Sequence, residues 1–69
     1  MDNSVASRRQ EAGLSQGELA ARTGVSRQTI NAIERGSYEP RLALAFRLAD
    51  IFECRVDVLF RPSSASSVD

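Results

Sequence analysis

Between Ser26 and Gly36 the chain reads SRQTINAIERG. On a helical wheel of 100° per residue, Gln28, Asn31, Ala32 and Arg35 fall on one outer face, flanked by Arg27 and Thr29, while Ile30 and Ile33 fall together on the other side. These side chains suit reading hydrogen-bonding edges rather than breaking bonds. A guanidinium can donate in bidentate fashion to guanine O6 and N7, a Gln or Asn amide can engage adenine N6 and N7, and an Ala or a Thr methyl can lie against a thymine methyl. Taken alone, the same face is also that of an ordinary solvated helix. Glu34 stands at the edge of the buried side, where a carboxylate needs a partner. Catalytic constellations are missing from the sequence: there is no His, one Cys, no Gly-rich phosphate loop and no paired carboxylates in an identifiable cleft.

The elements that must position this face can be read from caps and periodicity. Residues 3 to 12 are predicted as a first helix, capped by Asn3 or Ser4 and ended by Gly13, with Val5, Arg9 and Ala12 on one face. Ser15 and Glu18 form an S-x-x-E capping box that starts a second helix at Gln16, with Leu19, Ala20 and Thr23 inward and Gly24 at its end. Val25 is the apolar plug of the turn, and Ser26 caps a third helix over 27 to 35, closed by Gly36. Two short helices joined by so tight a turn present the second to a groove wider than one side chain, and the major groove of DNA is the usual partner. After a loop over 37 to 41, a fourth helix is predicted from Leu42 to Phe52. Leu42, Leu44, Ala45, Phe46, Leu48, Ala49, Ile51 and Phe52 cover more than half of its circumference, so it is central to the domain or partly meets another chain. Residues 56 to 60, VDVLF, read as a short helix or a turn into a strand, and residues 62 to 69 as a Ser-rich flexible tail beyond a domain of 1 to 61.

Length and charge set further limits. A chain of 69 residues holds one small core. No apolar run reaches the roughly 20 residues of a membrane span, so a cytoplasmic protein without membrane contact is expected. Cys54 alone cannot make an internal disulfide, and with no His a structural zinc site is not expected. No cofactor or small-molecule ligand is expected. The net charge is zero, which argues against indiscriminate nucleic-acid binding, but its distribution is polarised. Residues 22 to 35 carry three arginines against one acid, and residues from Asp50 onward carry four acids against two arginines. All nine basic residues are Arg, a bias that codon usage explains as well as phosphate recognition does.

The stretch LSQGELAARTGVSRQTINAIERGSYEP, Leu14 to Pro40, resembles the helix-turn-helix of the phage repressor and Cro family, also called the xenobiotic-response-element family. The likeness continues through LALAFRLADIF and VDVLF and covers about residues 5 to 60. It implies an all-α fold, a compact five-helix repressor-like bundle. In such a bundle helix two crosses the DNA backbone and helix three enters the major groove. It also implies roles. Gln16 contacts a phosphate or braces the recognition helix; Arg27, Gln28 and Asn31 read base edges beside Ala32; Ser26 and Thr29 hold the DNA backbone. Arg35 and the Gly36–Tyr38 loop, with Tyr38 also a candidate packing residue, meet phosphates. Arg41 matches a basic residue that in some members reaches toward the minor groove. Arg9 matches a family arginine that pairs with the glutamate at position 34, so a partly buried Arg9–Glu34 salt bridge is expected. Short members of this prokaryotic and phage family act as homodimers, and an interface through Ile51, Val58, Leu59 and Phe60 is expected here.

Four positions depart from the family pattern. Many relatives have Leu where Arg8 stands, so Arg8 is a solvated residue or a phosphate contact. Gly is common where Glu53 stands and Ser or Thr where Arg55 stands, which leaves the loop after the fourth helix without its usual caps. Val58 replaces a commonly charged residue. The reading is a sequence-specific regulator of transcription that binds double-stranded DNA, a repressor on a palindromic operator. Its rivals are an antitoxin-like protein-interaction module and a controller protein of a restriction–modification system.

Overall fold

Ser15 starts the second helix through two reciprocal hydrogen bonds. Its hydroxyl accepts from the Glu18 N–H at 3.0 Å and its own N–H donates to Glu18 Oε1 at 2.7 Å. This pair holds the Glu18 carboxyl below its usual value of 4.5, chiefly through the Ser15 backbone donor and then the Ser15 hydroxyl. In the computed structural model, which describes residues 1–61, the elements follow in the order β1 (Asp2–Asn3), α1 (Val5–Glu11), α2 (Gln16–Thr23), α3 (Arg27–Glu34), α4 (Leu42–Ile51), α5 (Val56–Leu59) and β2 (Phe60–Arg61). The serine-rich tail expected at 62 to 69 lies outside the described residues.

Gly24 ends α2 at φ +78°, a left-handed conformation that costs an L side chain about 1–2 kcal/mol. Two residues later Ser26 Oγ accepts from the Thr29 N–H at 3.1 Å and starts α3. The reversal between α2 and α3 is therefore set at both ends by local chemistry. Val25 is half-buried against the core, as a plug should be. Arg47 of α4 adds a long-range fastening: its Nη1 donates to the Thr23 carbonyl at 3.0 Å, at the carbonyl end of α2.

The first helix is shorter than its sequence pattern predicts. Asn3 is not helical; it pairs with Phe60, and Asp2 with Arg61, in a two-residue antiparallel ladder that joins the two ends of the folded unit. Ser4 is the N-cap of α1, without a side-chain capping bond, and Asn3 supports the start of the helix from one residue earlier, its Oδ1 accepting from the Val5 N–H at 3.1 Å. Ala12 lies at the C-cap and is exposed, whereas Val5 on the same face is buried. The fourth helix likewise stops one residue early. Phe52 is its C-cap, and the turn is completed by Glu53 at φ +54°, with the Cys54 N–H bonded to the Ala49 carbonyl at 3.0 Å.

The helices close around Val5, Leu19, Ala20, Ile30, Ile33, Ala45, Leu48, Ala49, Leu59 and Phe60. Each fully buried aliphatic side chain contributes about 1.5–3 kcal/mol relative to exposure. Thr23 is also buried, and its hydroxyl donates back to the Leu19 and Ala20 carbonyls, so it satisfies itself within its own helix. Two of the residues expected at a dimer interface are thereby corrected: Leu59 and Phe60 are 0% and 8% exposed. The ladder turns Phe60 inward, and α5 ends against the core, so neither side chain is available to a second chain. Ile51 is half-buried, and Val58 is exposed.

Candidate nucleic-acid interface

The candidate surface rests on one carboxylate. Glu34, at the end of α3, accepts from Arg9 Nε at 2.6 Å, Arg9 Nη2 at 3.3 Å and Gln16 Nε2 at 2.9 Å. Arg9 Nη1 meanwhile donates to the Leu14 carbonyl at 2.9 Å. The side chains of Arg9 and Glu34 are 13% and 7% exposed, so the pair is shielded from water and salt. α1, α2 and α3 thus converge on a single anion. Its partners satisfy it fully, and among the described residues no buried side-chain nitrogen or oxygen lacks a hydrogen bond.

Gln16 had two possible destinations, a phosphate or the recognition helix, and here its amide goes to Glu34. The rest of its side chain lines a shallow hollow together with Arg27, Gln28 and Asn31. The start of α2 and the first turn of α3 therefore present one shared polar surface. Arg27 and Gln28 are exposed, and Asn31 is half-buried. The Ser26 and Thr29 hydroxyls lie 3.0 Å apart and hydrogen-bond to each other. That exchange orders the N-terminal turn of α3, where backbone N–H groups face outward and favour anions.

The remaining candidates are not part of this hollow. Arg35 lies beyond the other end of α3, about 12 Å along the axis from Arg27 at 1.5 Å per residue, and it is exposed. Tyr38, 42% exposed, follows in the loop. Arg41 occupies the N-cap of α4 with its side chain uninvolved in capping. Arg8 is occupied locally: its Nε donates to Ser4 Oγ at 3.1 Å. Two positioning groups escaped sequence reasoning. In sequence Arg47 is only a polar position outside the apolar face of α4, and Asn3 reads only as a helix cap; Arg47 reaches Thr23 and Asn3 reaches Ile33, each more than twenty residues away.

Residues 5–59 match the helix-turn-helix family model. The chain belongs to the helix-turn-helix family. An uncharacterized helix-turn-helix-type transcriptional regulator of Methanocaldococcus jannaschii is 51% identical over 47 residues, covering 68% of this chain and 71% of the relative. One from Methanothermobacter thermautotrophicus is 61% identical over 41 residues, 59% of each chain. One from Bacillus subtilis is 40% identical over 60 residues, 87% of this chain and 91% of the relative. The helix-turn-helix chain described here is accordingly a DNA-binding transcriptional regulator with the five helices of an all-α domain, and it is not an enzyme. Among the described residues no helix is long and apolar enough to cross a membrane, and no cluster of His, Cys, Asp and Glu could hold a metal ion.

Proposed function

We propose that this regulator is a repressor that inserts α3 into the major groove of a palindromic operator and binds there as a homodimer, with half-sites about one helical turn, roughly 34 Å, apart. The observation that carries the reading is the shared surface of Gln16, Arg27, Gln28 and Asn31, held by the buried Glu34 junction. Arg27, Gln28 and Asn31 read bases. Gln16 braces, and the Ser26–Thr29 turn offers backbone donors to a phosphate. Arg35, Tyr38 and Arg41 extend the backbone contacts beyond the far end of α3.

The dimer contact we assign to α4 and α5. Leu42 and Phe46, one turn apart on α4, are 67% and 57% exposed. Beside Phe46 runs a cleft lined by Ala49, Cys54 and Val56 and edged by Arg47, Asp50, Arg55 and Asp57. Two cations and two anions around an apolar centre can meet their own copy across a two-fold axis.

Footprinting on the DNA upstream of the regulator's own gene, at two salt concentrations, tests the reading. A protected palindrome that disappears in Gln28→Ala/Asn31→Ala supports readout by α3. Protection that persists in the double variant, or a monomeric species on the protected site, rejects it.

A further inference from the structure

Asn3 uses its whole side-chain amide to join three elements. Its Nδ2 donates to the Ile33 carbonyl at 2.8 Å and to the Met1 carbonyl at 3.3 Å, while its Oδ1 accepts from the Val5 N–H. Its backbone is paired with Phe60 in the ladder, and the adjacent Ser4 N–H donates to the Leu59 carbonyl at 3.0 Å. Ile33 is no neutral attachment point. Its carbonyl also accepts the Gly36 N–H at 2.9 Å, and the Ser37 N–H reaches the Ala32 carbonyl at 3.0 Å, the paired bonds that close α3. Met1, just before the strand, lies against that closure, its ammonium donating to the Gly36 carbonyl at 3.1 Å. A Cβ added at Gly36, φ +78°, would come within 3.1 Å of the Met1 carbonyl oxygen.

We propose that Asn3 is a positioning residue for DNA recognition: it ties the C-terminal end of α3, and the Arg35–Tyr38 loop that follows, to the β1–β2 ladder and through it to α5. The inference rests on the DNA reading of α3 above. Glu34 fixes α3 against α1 and α2 on one side, and Asn3 fixes the end of the same helix against the ladder on the other. Without the second tie, α3 keeps its hydrophobic seat through Ile30 and Ile33, but its last turn and the loop lose their register to α5.

Two variants isolate the donor. Asn3→Asp keeps the shape and the acceptor for Val5 but removes the N–H groups, and Asn3→Ser keeps a capping oxygen in a smaller side chain. Amide hydrogen exchange at Gly36 and Ser37 should accelerate about tenfold in both, the scale of one lost hydrogen bond, with exchange at Leu48 unchanged. No change at Gly36 and Ser37, or equal acceleration at Leu48, overturns the proposal, the latter because it marks general loosening. Affinity supplies the functional arm. On a duplex recovered by the wild-type chain from a random-sequence pool, both variants should bind about tenfold more weakly, while binding to unselected random duplex stays the same. Equal loss on both duplexes, or none on either, also overturns it. If the wild-type chain recovers no preferred duplex, the DNA reading has failed, and the exchange result judges the tie by itself.

Discussion

Glu34 shows what one buried charge can do in a small domain. Glu34→Ala leaves Arg9 without its anion in a site that is nearly closed to water, a change that costs about 3–5 kcal/mol when burial is complete. In a domain of this size that corresponds to a fall in Tm of at least about 10 °C, readable by calorimetry; an unchanged Tm would reject the junction as a stabilising contact. Glu18 gives a second prediction, in pH. Because its carboxyl is held below 4.5 in the folded chain, its contribution is complete above that value and disappears as pH falls through the lowered one. Glu18→Gln keeps a capping-box partner without the charge. It should therefore be less stable than wild type at neutral pH, with the gap closing in acid, as thermal melts across the range would show. The wheel and the resemblance both exposed Glu34, because amphipathic spacing marks a carboxylate at a core edge. They could not choose the destination of the Gln16 amide, since a hydrogen bond across eighteen residues of sequence leaves no periodic trace.

At the scale of elements, the contrast lies between helix ends that are capped and ends that are not. The boundaries at Ser15, Gly24 and Ser26 were legible because each depends on one residue and its near neighbours. The α4–α5 turn lacks such residues. Glu53 adopts φ +54° without being Gly, and Arg55 stands at the N-cap of α5 with no side-chain capping bond. Its exposed pair with Asp57 gives little in return, being 81% and 68% open to solvent. Arg55→Ser should raise stability by about 0.5–1 kcal/mol through a new cap, seen as a higher urea midpoint with an unchanged slope. A lower midpoint would mean that the Arg55–Asp57 pair matters more than the cap. The start of α1 was misread for a different reason. A two-residue strand is too short for alternation to register, and its partner is at the other end of the sequence.

For the whole molecule, the five helices and the helix-turn-helix at their centre were legible, and the apolar surface was not. The expectation of an interface at Leu59 and Phe60 could not foresee that the ladder turns Phe60 inward. Helical spacing could not choose between core and contact for Leu42 and Phe46, which sit on the apolar side of α4 and are 67% and 57% exposed. With Leu42 and Phe46 exposed, Phe46→Asp becomes the informative variant. It should leave the fold intact, since the side chain is mostly exposed, and shift sedimentation from dimer to monomer. An unaltered dimer in Phe46→Asp would place the contact elsewhere.

The ladder also has a consequence for synthesis. Asp2 and Asn3 are made before the five helices and pair with Phe60 and Arg61, which are made after them. α1, α2 and α3 are complete when little more than half of the described chain has been made, and the local caps can shape them as they emerge. The strand that anchors Asn3 follows all five helices, and its pairing closes a loop that spans almost the whole domain. A nascent chain halted before Phe60 would carry every side chain of the recognition surface and still lack the strand that holds Asn3 in place.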